Sequence, residues 1–186
     1  MSRHRCRWLL PQLGLALALL ASLPALAAPS TVPADAPAAP ALTGITRWIN
    51  SPPLTMQGLR GKVVLIDFWT FECSNCLHAL PQVKALHARY RDRGLVVIGV
   101  HTPELPAERD TGNLFDAVRR LGIEFPVAQD NDSSTWNAWQ NQYWPAQYVV
   151  DAQGRVVFAH IGEGGYAAIE NAVRQQLDLP PLAAAP

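Results

Sequence analysis

Two of the chain's three cysteines are spaced for joint chemistry: Cys73 and Cys76, separated by Ser74 and Asn75. Thiols at this spacing can close into a disulfide, reopen under thiolate attack and so carry two electrons. The same pair could also be a structural disulfide or half of a zinc site, although the zinc reading lacks a second cysteine pair. His78 raises haem and copper as further possibilities. Haem attachment needs the histidine directly after the second cysteine, where Leu77 stands, and copper would need His78 to fold back from a helix onto both sulfurs. His78 therefore reads as a partly exposed helix residue. His87, His101 and His160 show no paired ligand spacing, so no metal is expected.

The elements flanking the pair decide what it can do. Gly61 leads into Lys62-Val63-Val64-Leu65-Ile66-Asp67-Phe68-Trp69, a nearly continuous apolar run of the kind that forms a strand covered on both faces. Ala79, Val83, Leu86 and Tyr90 then recur at helical spacing up to Gly94, and Leu95 to Val100 reads as a second buried strand. Strand, helix and strand in that order predict a right-handed βαβ unit with parallel strands. Cys73 thus falls at or just before the first helical turn, where free backbone N–H groups and the helix dipole favour thiolate over thiol. Cys73 is the expected nucleophile. Cys76, one turn further in, is the more buried partner that resolves the mixed disulfide.

Leu114, Val118 and Leu121 mark a further helix closed by Gly122, followed by a short extended segment, Phe125 to Ala128, and a short helix from Thr135 to Gln140. Gln147 to Val150, the turn Asp151-Ala152-Gln153-Gly154 and Arg155 to His160 form a hairpin pattern, and Ile169, Val173 and Leu177 mark a last helix. The predicted class is α/β, with a central mixed sheet and helices on both faces.

Ahead of this region, Arg3, Arg5 and Arg7 precede an apolar run from Trp8 to Leu23, then Ala25-Leu26-Ala27, so residues 1–27 read as a secretory signal peptide. An uncleaved membrane anchor is the alternative, although Pro11 interrupts the run. Cys6 would leave with this segment, and the protein would be periplasmic or extracellular, or membrane-tethered if uncleaved. Residues 28–42 are almost all Ala and Pro and read as a solvated linker, 43–180 as one domain and 181–186 as a flexible tail. Without Arg3, Arg5 and Arg7, the remaining Lys and Arg are outnumbered by 15 Asp and Glu. No basic stripe remains to bind nucleic acid.

Val64-Leu65-Ile66-Asp67-Phe68-Trp69 followed by Cys73-Ser74-Asn75-Cys76 and Pro81 resembles the thioredoxin superfamily. Trp48-Ile49-Asn50-Ser51-Pro52-Pro53-Leu54, Gly99-Val100-His101-Thr102-Pro103-Glu104, and Asp130-Asn131-Asp132 running to Asn141-Gln142-Tyr143-Trp144-Pro145-Ala146 resemble its TlpA-like branch, and in particular the extracytoplasmic thioredoxin-like domain of DipZ-type proteins. The resemblance implies a thioredoxin fold with a TlpA-type helix and strand insertion, and a dithiol that needs no cofactor beyond its own disulfide. It also implies protein disulfides as clients and a membrane electron donor of the disulfide-reducing type.

Three residue roles follow from the same resemblance. Asp67 would be the buried carboxylate beneath the pair, raised in pKa by desolvation and able to take and return the proton of Cys76; its alternative is a strand-end aspartate in a turn. Pro145 would be a cis-proline facing the disulfide, presenting the backbone of Trp144 to an incoming peptide, and Pro81 would bend the active-site helix. Trp69 and Trp144 could modulate access to Cys73 or be plain core.

Ser74-Asn75 lacks the histidine of strongly oxidising members, and Glu72 beside Cys73 disfavours a thiolate if its charge is near, so both lean toward a reductant. Ala146 stands where reductases dedicated to cytochrome c maturation carry glutamate, and that pathway is not assigned. Two other functions compete. Thr70-Phe71-Glu72-Cys73 has the threonine-to-cysteine spacing of a peroxiredoxin-like thiol peroxidase, but Ile66 occupies the position of its proline. A non-catalytic binding module with the disulfide as a staple is the other.

Overall fold

A computed structural model describes residues 36–183; the predicted signal peptide, residues 1–27, lies outside them. Six strands form one mixed sheet: β1 Arg47–Ile49, β2 Val63–Trp69, β3 Leu95–His101, β4 Val127–Gln129, β5 Ala146–Val150 and β6 Val156–Ile161. Among the described residues four α-helices accompany it: α1 Ser74–Tyr90, α2 Thr111–Arg120, α3 Ser134–Ala138 and α4 Tyr166–Gln176. Strand order is β1-β4-β3-β2-β5-β6. β2 runs parallel to β3, and β3 parallel to β4, while β1, β5 and β6 pair antiparallel to their neighbours. The βαβ unit is β2-α1-β3, and α1 runs as a single helix through Pro81. The helix and strand insertion is α2 with β4, which seats β4 between β1 and β3.

β2 is the centre of the molecule, and all seven of its residues are buried. Alternation along the strand divides its side chains between two cores. Val63, Leu65 and Trp69 join Cys76, Leu80, Val83 and Leu86 of α1, Leu114 and Val118 of α2, and Ile169 and Val173 of α4. Val64, Ile66 and Phe68 face the other way, onto Trp136 and Trp139 and the irregular chain that carries Leu42, Leu54 and Met56. The expectation of helices on both faces is met unevenly. The three long helices share one face, and the other is closed by five-residue α3 and non-repetitive chain.

That closure changes the reading of the Ala/Pro segment. Within residues 36–42, Ala38 bridges to Arg155, Ala39 N–H donates to the Gly154 carbonyl (2.9 Å) and Val156 N–H donates to the Pro37 carbonyl (2.9 Å). Ala39 and Leu42 pack on the second core. This half of the predicted linker is docked chain rather than a solvated spacer, held because the hairpin turn supplies backbone partners to residues that could not bury a core alone. At the other end, Leu182 N–H donates to Asn171 Oδ1 (2.7 Å) and Arg174 Nε to the Pro180 carbonyl (2.6 Å), so the described part of the tail is pinned to α4.

Gly99 on β3 lies directly beside Asp67 in the register. A Cβ there would come within 2.8 Å of Trp69 Nε1 and 3.0 Å of a Phe125 ring carbon. The missing side chain lets the Trp69 indole lie over the sheet. Gly99→Ala is expected to destabilise the oxidised protein by about 1–3 kcal/mol through overpacking, read as a lower urea midpoint; an unchanged midpoint would show that the indole has room to move.

Candidate active site

Cys73 is the N-cap residue of α1, with extended backbone, and Ser74 opens the helix. Its sulfur accepts a hydrogen bond from the Cys76 N–H at 3.2 Å, one of the donors that a helix start leaves unpaired. Cys73 and Cys76 form a disulfide with Cα atoms 5.2 Å apart. Cys73 is half-buried, whereas Cys76 is 3% exposed and packs in the first core. Attack from outside therefore reaches Cys73 first.

Cys73 opens onto a groove of about 430 Å³ lined by Glu72, Ser74, Asn75, Glu104, Tyr143 and Trp144. The Trp144–Pro145 peptide bond is cis. Trp144 stacks on Trp136, ring centroids 4.2 Å apart, and donates from Nε1 to the Thr102 carbonyl at 3.1 Å. Asp130 organises that support: its carboxylate accepts from Thr102 Oγ1 (3.0 Å) and from the N–H groups of Thr135 (3.1 Å) and Trp136 (2.9 Å) at the start of α3. Trp144 thus belongs to the groove wall. Trp69 does not: at 1% exposure it is core, edge-on to His101 and away from the cleft.

Asp67 shares its strand face with Leu65 and Trp69, the face that α1 and Cys76 cover. It is 3% exposed. Burial pushes its carboxyl up from 3.8 to about 7, opposed by a hydrogen bond from Gln147 Nε2 to Oδ1 at 3.0 Å. Gln147 is the residue directly across the β2–β5 ladder. The aspartate is not a surface turn residue. A carboxyl that ionises near neutrality, on the sheet face that Cys76 covers, has the properties of an acid–base group.

Two supporting residues escaped the sequence reading. Gln147 could have been found, because on an inward-facing position of an otherwise apolar strand a polar side chain needs a buried partner. Glu108, in the 3₁₀ turn Pro106–Arg109, carried no such signal. It is fully buried, and its carboxylate accepts from the N–H groups of Glu72 (3.1 Å), Glu104 (2.8 Å) and Leu105 (2.9 Å). Burial raises its pKa, but these donors together with the Thr70 hydroxyl outweigh that and hold it below the ordinary value. Glu108 remains charged and fixes the backbone one residue before Cys73. Beside it, burial lowers His101 to about 4, so the ring is neutral, stacked on Phe71.

His78 points away from the sulfurs to Glu163, 3.2 Å from its Nδ1, and among the described residues no three His, Cys, Asp or Glu side chains converge as a metal site. Thr70 is fully buried, and among the described residues no arginine lines the groove beside Cys73.

A disulfide at the start of a helix packed on a six-stranded mixed sheet defines a thioredoxin-like fold that carries a redox-capable cysteine pair. Residues 38–159 match the AhpC/TSA family, and the chain belongs to it. It is 49% identical over 143 residues to Protein DipZ of Mycobacterium tuberculosis, covering 75% of this chain but only 21% of that protein. The thiol–disulfide oxidoreductase YkuV of Bacillus subtilis is 33% identical over 138 residues, covering 74% of this chain and 93% of its own. A solution structure of a thioredoxin-like protein in the oxidised form aligns with TM-score 0.70 and 33% identity, over 77% of this chain and 96% of that one.

The shifted Asp67 carboxyl has a consequence for stability. Its folded-state value lies above the unfolded one, so the folded state holds the proton more tightly and stability is lost as pH rises from about 4 to about 7. Asp67→Asn removes that loss. In urea unfolding of the oxidised protein, its advantage over wild type should be larger at pH 8 than at pH 5 by about 2–3 kcal/mol. An equal advantage at both would mean the carboxyl titrates as it does in water.

Proposed function

We propose that the chain is an exported dithiol enzyme that reduces or exchanges disulfides of extracytoplasmic proteins, with Cys73–Cys76 as its own redox centre and no bound cofactor. The observation that carries this reading is the disulfide itself: one sulfur at a helix start open to a groove, the other buried on the sheet face that carries Asp67. Export is supported by the pattern of residues 1–27.

In the reducing direction the Cys73 thiolate attacks a client disulfide, forming a Cys73–client bond and expelling one client thiolate. The Asp67 carboxylate takes the proton of the Cys76 thiol. The Cys76 thiolate then attacks Cys73 Sγ, closing the intramolecular disulfide and expelling the second client sulfur, to which the proton can pass. Two electrons leave the enzyme. Pro145 and Trp144 orient the client backbone along the groove, while Glu72, Ser74 and Asn75 form the rim around Cys73. An oxidising compartment would leave the pair oxidised, so the cycle needs a membrane electron donor of the disulfide-reducing type.

Replacing the resolving residue should trap the intermediate. Cys76→Ser is expected to accumulate mixed disulfides with client proteins on non-reducing gels, and Cys73→Ser to accumulate none. If both variants are equally inert while the fold is intact, the disulfide is a staple in a binding module. If Cys73 instead reacts with hydrogen peroxide far faster than a free thiol, the peroxidase reading gains.

A further inference from the structure

Asp67, Gln147 and His160 occupy one transverse row of the sheet. Asp67 pairs with Gln147 across β2 and β5, and Gln147 pairs with His160 across β5 and β6. Directly paired residues on antiparallel strands share a face, so the three side chains lie side by side from the centre of the sheet to its edge, on the face covered by α1 and α4. Gln147 is 2% exposed. Its Nε2 is committed to Asp67, but among the described residues its Oε1 is buried without a partner, and so is Nε2 of His160. Two neighbouring residues in one row thus hold an unpaired acceptor and an unpaired ring nitrogen, and leaving either buried and unsatisfied costs about 1–3 kcal/mol. The His160 ring is held close to Gly165, the N-cap of α4, where any side chain would collide with it.

We propose that the row acts as one hydrogen-bonded unit: His160 Nε2–H donates to Gln147 Oε1, directly or through one water, and thereby keeps the Gln147 amide turned with its N–H on the Asp67 carboxylate. The inference rests on Asp67 being the proton acceptor for Cys76. A primary amide can turn over. Turned one way it offers N–H, which favours ionised Asp67; turned the other way it offers its carbonyl to the protonated acid. A donor at His160 selects the first. Gln147 and His160 are then positioning residues that make Asp67 a better base in the resolving step.

The other ionisable groups on the packed elements are engaged elsewhere. On α4, Glu170 is held by Arg89 and Tyr90, and Tyr166 reaches the His78 carbonyl. In the loop before α4, Glu163 bonds His78. On α1, Lys84 bonds the Leu121 carbonyl and His87 lies against Phe125. His101 on β3 pairs with Trp69, not Asp67, and Tyr148 of β5 belongs to the opposite core.

The test is the pH dependence of the resolving step, followed in a single turnover as release of a client peptide from its mixed disulfide with Cys73. Wild type should show an acid limb where Asp67 protonates. Gln147→Leu and His160→Phe should each move that limb to higher pH by about one unit, and His160→Gln, which keeps a donor, should restore it. The double variant should shift no further than Gln147→Leu alone, because the two residues act through one amide. A His160→Phe limb that overlies wild type, or shifts that add in the double variant, would overturn the row. A limb that persists in Asp67→Asn would overturn the proton-acceptor role of Asp67 itself, and so separates the two failures.

Discussion

A carboxyl with no counter-ion among the described residues, in the middle of a strand buried on both faces, is the constraint around which this molecule is arranged. Ionised, Asp67 would be severely penalised in an apolar interior; permanently neutral, it would be no base. The fold places it between these limits. Burial carries its pKa up to about 7, and one amide hydrogen bond opposes the rise. Much of the nearby construction follows. Gly99 leaves its neighbouring position on β3 without a side chain, Trp69 closes over that gap, and Cys76 covers the same face of the sheet.

The second organising theme is the use of buried carboxylates as backbone clamps. Glu108 and Asp130 differ from Asp67 in being surrounded by donors. Glu108 holds three N–H groups, including that of Glu72, and Asp130 caps α3 while tying in Thr102. One clamp fixes the approach to Cys73; the other fixes the platform under Trp144 through the Trp136 stack. The two walls of the groove are set by separate anchors, so the distance between Cys73 and Trp144 depends on β3 and the loops that leave it rather than on the active-site helix alone.

What could be read in the sequence was what local periodicity encodes. The buried strand Val63–Trp69, the helix behind Cys76, the β5–β6 hairpin and the placement of Cys73 at a helix start all follow from apolar spacing and from Gly and Pro punctuation. β1 was not readable that way, since three residues are too few to show a period and Arg47–Ile49 is a strand only because β4 pairs with it. The docking of residues 36–42 was hidden for a related reason. Ala and Pro bring almost no burial of their own, and their order comes from backbone partners more than a hundred positions away at Gly154 and Val156. Glu108 shows the same limit at the site: an acid in a polar loop reads as solvated until the fold brings the N–H of Glu72 to it.

The row Asp67–Gln147–His160 adds a geometric reason for the hairpin to be there. A two-stranded extension beside β2 would be enough to bury Leu65, on the face that carries Asp67, and apolar residues at every position of that face would do so with less penalty. Instead the side chain paired with Asp67 is an amide and the one beyond it an imidazole, in register, each with an atom that only a neighbouring polar group can satisfy. An isolated Gln147 would be indifferent between the two protonation states of Asp67, because its amide can present either end. Only a third group on the far side removes that indifference. His160 occupies the ladder position on that far side, across Gln147 from Asp67.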